Sequence, residues 1–116
     1  MPEGSLRLID GGCRVEAYSS DSSRPFLLGK ATDRIKQVFN IGHAAQTAAF
    51  KAARPRVPCG DIDAAARKVT VDGGFGPDYT HFSHRVGHGT GMKGHEWPYL
   101  VRGNALLLVP GLTFSD

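Results

Sequence analysis

The sequence is poor in cysteine, has no long apolar run and carries no block of like charge. Cys13 and Cys59 are the only cysteines among 116 residues, and they form no CxxC pair. That excludes a disulfide framework and a cysteine-based structural zinc site, and leaves two reduced thiols of the kind found in the cytoplasm. The longest aliphatic run, residues 105–109, falls far short of the roughly 20 apolar residues that span a bilayer. The opening MPEGSLRLID has neither the cationic nor the apolar region of a signal peptide. A cytoplasmic protein with no membrane partner is expected. Lys and Arg exceed Asp and Glu by 14 to 11, but the basic residues are scattered through RLIDGGCR, KATDRIK and KAARPR. A nucleic-acid surface needs a basic stripe interleaved with exposed aromatics, and so no nucleic-acid partner is expected.

What is present suits one globular domain. Hydrophobic residues make up 41% and charged residues 22%, which argues against disorder. A domain of this length is expected to bury about two-thirds of its unfolded surface. LRLID and the stretches GGCRVE and AYSSD read as two short strands around a turn. From Thr32, apolar residues at Ile35, Val38, Phe39, Ala45, Ala49 and Ala52 share a helical face, with Thr32 or Asp33 as cap and Pro55 as stop. A second helix is predicted with Asp61 as its cap, Ile62, Ala65, Ala66 and Val69 packing, Arg67 and Lys68 favouring its negative end, and Gly73 ending it. ALLLVPGLTF reads as two apolar strand pieces split by a Pro-Gly turn. The order predicts an α+β domain of antiparallel strands packed on two helices. The last strand reads either as a sheet edge or as part of something longer.

Two carboxylates sit near the start. A hairpin centred on Val15 and Glu16 would place Asp10 opposite Asp21, with Cβ atoms about 4.5–5.5 Å apart. Such a pair repels unless a cation stands between its members, which points to metal binding. The competing reading has Asp10 ending a strand and Asp21 capping the turn DSSR.

HRVGHGTGMKGHEWP, residues 84–98, gathers His84, His88 and His95 among Gly87, Gly89, Gly91 and Gly94. If extended, this stretch shows imidazoles on one face and bare backbone on the other, so that another backbone can approach closely, as in a peptide cleft. GTGMKG matches GxGxxG but precedes Pro98 rather than a helix, which argues against a dinucleotide site. HEWPY begins like a zinc-binding HExxH helix, yet Tyr99 stands where the second histidine belongs.

Taken together, LIDGGCRVEAYSSDSSRPF, HRVGHGTGMKGHEWP and LLLVPGLTF resemble the pita-bread metallopeptidases, and within them the Xaa-Pro dipeptidase and aminopeptidase P branch. The resemblance runs through nearly the whole chain. It implies a partial pita-bread fold in which Asp10, Asp21 and His88 are metal ligands. His84 and His95 would hold substrate and assist proton transfer. Two divalent ions (manganese, cobalt or zinc) would activate a water for attack on a peptide with proline in second position. Thr90, Pro25 and Arg56 depart from the family pattern, Arg56 standing where a helix-ending glycine is common. The pattern also places two glutamate ligands after the stretch matching LTFSD. Residues 1–116 are therefore expected to be the central segment of a catalytic domain, truncated at both ends. A segment of this kind should be inactive alone, and a homodimer or self-association is expected. The alternatives are a non-catalytic peptide- or protein-binding module of the same fold, or a methionine aminopeptidase.

Overall fold

A computed structural model describes residues 2–77 and 79–116. Strand β1 (Leu6–Gly11) pairs antiparallel with β4 (Ser22–Leu27), and between them β2 (Arg14–Val15) pairs with β3 (Tyr18–Ser19). The two ladders share one register and together form a single hairpin whose tip is Glu16-Ala17. Both tip residues have left-handed φ, 49° and 71°, the backbone twist that a two-residue hairpin turn requires. This corrects the expected pairing. The hairpin centres on Glu16 and Ala17 rather than Val15 and Glu16, so Asp10 faces Ser23. Asp21 lies in the gap between β3 and β4. The turn carried no Asn-Gly signal to fix its centre, and a shift of one residue at the tip moves the partner by two.

Helix α1 (Asp33–Ala52) begins where the sequence predicts. Thr32 Oγ1 accepts from Ile35 N at 3.3 Å, satisfying one of the first turn's free N–H groups. Helix α2 (Cys59–Asp72) starts three residues earlier than expected, with Pro58 rather than Asp61 as its cap residue, so Asp61 sits in the first turn and makes no side-chain cap. The proline ring presets the φ that helix entry needs. Gly73 ends the helix as predicted.

The remaining strands form one small sheet. Strand β5 (Gly87–Gly89) is central, with β6 (Glu96–Leu100) on one side and β7 (Phe114–Ser115) on the other, both antiparallel to it. Among the described residues β7 pairs with β5 alone. The run at 105–109 does not form the expected strand. It makes a single antiparallel bridge, Leu107 to Pro58, which fastens the start of α2.

The core lies where α1, α2 and the small sheet meet: Ala45 and Ala49, Cys59, Ile62 and Ala66, and Leu100 and Leu108. Alanines at the contact let the two helices pack closely. Val38 and Phe39 of the predicted apolar face remain exposed, and every residue of β1 is exposed. The expected two-thirds burial is therefore not reached. The accessible surface is 7891 Å². A folded protein of 12.4 kDa should show about 6100 Å².

Candidate metal centre

Strand β5 puts His88 at the middle of its sheet, where the backbone is held on both sides and only 9% of the residue is exposed. His88 Nδ1 lies 3.1 Å from the Gly89 carbonyl, which can only accept, so Nδ1 carries a proton and Nε2 is the ring nitrogen turned toward Asp21. That nitrogen stands 3.2 Å from Asp21 Oδ2. His95 packs its ring against His88, with centroids 4.0 Å apart at 73°. Asp21, His88 and His95 each offer a ligand atom, and these atoms lie within 4.8 Å of one another.

The hairpin tip delivers Asp21 to this point. Ser19 N donates to Gly91 O at 2.7 Å, and Arg14 Nη2 donates to Met92 O at 3.3 Å. These bonds dock β2 and β3 on the glycine-rich segment, and Asp21 follows two residues after Ser19.

Asp10 and His84 border the same open cleft, whose volume is about 1080 Å³. Asp10 Oδ1 accepts from Ser23 Oγ at 2.8 Å, its cross-strand partner, and Asp10 is not part of the converged group. His84 Nδ1 donates to the Arg85 carbonyl at 2.7 Å, leaving its Nε2 unengaged. All five sequence-predicted residues therefore border one cavity, but only Asp21, His88 and His95 approach ligating distance of each other.

The glycines serve a different purpose from the one expected. A Cβ on Gly87 would overlap the Ser115 carbonyl, one on Gly89 the Trp97 carbonyl, and one on Gly91 the Glu96 carboxylate. Another backbone does approach this bare face closely, but it belongs to β6 and β7. The cleft lies on the histidine side.

Asp116 was missed. It lines the cleft, its Oδ2 is buried without a hydrogen-bond partner, and burial pushes its carboxyl above the usual range. Its neighbour along the strand, Ser115, donates from Oγ to His88 O at 3.4 Å. A lone aspartate at the end of a sequence gives no periodic signal, so only the pairing of β7 with β5 could reveal it.

The donor set fits a divalent cation. Carboxylate and imidazole suit manganese, cobalt or zinc. A histidine whose other ring nitrogen is bonded to a carbonyl is the usual form of a metal-binding imidazole. Asp116, which lines the same cleft without belonging to the converged group, carries a buried carboxylate oxygen that an added positive charge in the cleft would favour.

Comparison with known proteins agrees with this geometry. Residues 1–116 match the description "Metallopeptidase family M24" throughout. An Xaa-Pro dipeptidase of Lactobacillus delbrueckii subsp. lactis is 41% identical over 110 residues, which is 95% of this chain and 29% of the relative. The crystal structure of dipeptidase PepE from Mycobacterium ulcerans superposes with a TM-score of 0.91 at 40% identity, covering 98% of this chain and 30% of that one. A prolidase from Pyrococcus furiosus gives 0.89 at 30% identity, covering 97% and 32%. The chain thus spans about 30% of the length of the relatives it matches.

Proposed function

Because this chain belongs to metallopeptidase family M24, which it matches along residues 1–116, we propose that its cleft is part of a divalent-metal site hydrolysing peptides whose second residue is proline. Its fold is a partial pita-bread fold of the α+β class. The observation that carries the proposal is the convergence of Asp21, His88 and His95 in the cleft. Asp10, Asp21 and His88 are the proposed ligands, and His84 and His95 the groups facing substrate. When bound, divalent ions would supply the Lewis acidity that makes hydroxide available at neutral pH and polarises the scissile carbonyl.

The chain's own side chains do the rest. Asp21 and His88 both line the cleft, His88 from the middle strand of its sheet and Asp21 from the stretch of hairpin between β3 and β4. His84, with Nδ1 donated to a carbonyl, keeps Nε2 free to accept a proton or, once charged, to donate one to an oxyanion. In the same reading, residues 1–116 are the central segment of a larger catalytic domain and do not turn over substrate alone. The two free thiols, one exposed and one buried, agree with a reducing compartment, for which we propose the cytoplasm. Among the described residues no helix is long and apolar enough to cross a membrane.

The position of His95 favours a second assignment, as a ligand, since its ring nitrogen lies within the converged group. One experiment separates the two. The chain is stripped of metal and titrated with Mn²⁺, alongside Asp21→Asn, His88→Ala and His95→Ala. Asp21→Asn and His88→Ala should each weaken binding at least about tenfold, since losing even a hydrogen-bond partner of a metal ligand costs about that much. Unchanged affinity in His95→Ala places that residue with the substrate, whereas a matching loss makes it a ligand. Failure of the unsubstituted chain to bind Mn²⁺ while folded would sink the metal reading and favour a non-catalytic binding module. In a longer chain that turns over peptides, preference for an N-terminal Met without a following proline would favour the methionine aminopeptidase alternative.

A further inference from the structure

Among the described residues, the most deeply buried charges lie outside the cleft. Asp63 and Arg67 stand one turn apart on α2, with 1% and 4% of their side chains exposed. Arg67 Nε donates to Asp63 Oδ2 at 2.7 Å and Nη2 to Asp63 Oδ1 at 3.1 Å, a bidentate pair. The rest of the guanidinium reaches outward. Nη1 donates to the Phe82 carbonyl, and Nη2 to the His84 carbonyl at 2.6 Å. The rings of Tyr79 and Phe82 lie against it, with centroids 3.5 and 4.4 Å from its central carbon. The helix-end role expected of Arg67 does not describe this arrangement, because the side chain turns inward.

The segment it grips has no regular structure of its own. Residues 79–86 lie in neither helix nor strand, and they carry His84 into the cleft. At the far end of the segment, Val86 N donates to Leu100 O at 3.0 Å, where the sheet begins. Phe82 also packs on the core and its ring lies 4.8 Å from that of His84, but packing leaves the peptide planes on either side of Ser83 without a directional hold, which the two hydrogen bonds from Arg67 supply.

We propose that Arg67 is a positioning residue for the cleft: held rigid by Asp63, it clamps the carbonyls of Phe82 and His84 and so sets where the His84 ring stands. This rests on the reading of the cleft as a hydrolytic site, in which His84 faces substrate. Arginine is needed because its planar fork spans a carboxylate and two carbonyls at once, which a lysine ammonium on a flexible stem cannot do. His88 is independent of the clamp, since β6 and β7 hold its strand.

The test uses Arg67→Lys and the double variant Asp63→Leu/Arg67→Met, which removes both charges together and so leaves no unpaired charge in the interior. Imidazole N–H cross-peaks are recorded for the metal-free chain at low temperature. In the unsubstituted chain His84 and His88 should each show an Nδ1–H held by a carbonyl. In both variants the His84 signal should be lost, the His88 signal kept and the thermal midpoint of the double variant little changed. A His84 signal that survives in either variant overturns the proposal, as does its absence from the unsubstituted chain. Global unfolding of the double variant also overturns it, because the pair would then be holding up the core rather than the loop. Mn²⁺ titration of the unsubstituted chain is read separately: failure to bind would sink the hydrolytic reading and leave the clamp result standing.

Discussion

Asp116 shows how strongly one residue's surroundings govern its chemistry. Its carboxyl is pushed above 3.8 by desolvation, with an oxygen that finds no partner. The folded state therefore binds this proton more tightly than the unfolded state does. Below 3.8 the group is protonated in both states and costs nothing; as pH rises through the raised value, its charge increasingly opposes folding. Asp116→Asn should accordingly raise the thermal midpoint of the metal-free chain at pH 7, with the gain shrinking as pH falls toward 3.8. A gain of equal size at both pH values would show that charge burial is not its origin. Arg56 is a second case. It occupies left-handed backbone at φ 72° just before α2, where its N–H donates to Leu108 O at 2.7 Å. A side chain costs about 1–2 kcal/mol in that conformation, and glycine's own entropy offsets about half of it. Arg56→Gly should stabilise the chain by up to about 1 kcal/mol in denaturant titration. Destabilisation would mean that the Arg56 side chain makes a compensating contact.

Among the elements, β5 matters most, because three residues hold an imidazole between two partners. Its glycines are needed for contact with neighbouring carbonyls. Gly89→Ala pushes a methyl into the Trp97 carbonyl, which belongs to rigid backbone. We expect a loss of about 1–3 kcal/mol, the usual cost of overpacking, together with weakened Mn²⁺ binding as His88 shifts. Gly94→Ala is the control, since nothing lies within 4 Å of the added carbon. Equal effects from the two substitutions would refute the close-approach argument. The β1–β4 hairpin is the opposite case. It is long and twisted, but it displays Leu6, Leu8, Ile9 and Phe26 to solvent, and α1 leaves Val38 and Phe39 uncovered beside it.

For the whole molecule, the excess of surface is the governing fact. The radius of gyration is 15.5 Å, against about 13 Å for a compact 100-residue domain, and the overall extents of 43 × 36 × 20 Å describe a slab. The apolar faces left open on the hairpin and α1, with an apolar groove of about 700 Å³ between them, favour association of copies. Sedimentation of residues 1–116 at micromolar concentration should show dimers or larger species, and Leu8→Lys with Phe26→Lys should shift the distribution toward monomer. A strictly monomeric unsubstituted chain across that range would contradict this.

The sequence by itself determined the features that depend on local rules. Thr32 caps α1 because a hydroxyl reaches the first free N–H groups, and Gly73 ends α2; both could be read from residue type and spacing. That His84, His88, His95, Asp10 and Asp21 would share one cleft was equally legible from HRVGHGTGMKGHEWP and the Asp10–Asp21 spacing, whereas Asp116, which lines it too, was not. Register was not legible: Glu16 and Ala17 form a left-handed turn that neither residue advertises, and this moved the partner of Asp10 from Asp21 to Ser23. Nor could the sequence tell which backbone would fill the bare face of the glycine segment, since β6 and β7 reach it from 8 and 25 residues further along the chain, Gly89 to Trp97 and Gly89 to Phe114. The same holds for Asp63 and Arg67. At four-residue spacing they look like an ordinary surface ion pair, and only the packing of residues 79–86 over α2 buries them and turns the guanidinium toward the Phe82 and His84 carbonyls. Capping and periodicity are local energies, fixed within a turn or two of chain, whereas register, burial and the meeting of Asp21 with His88 are set by contacts between distant segments, which only the folded chain brings together.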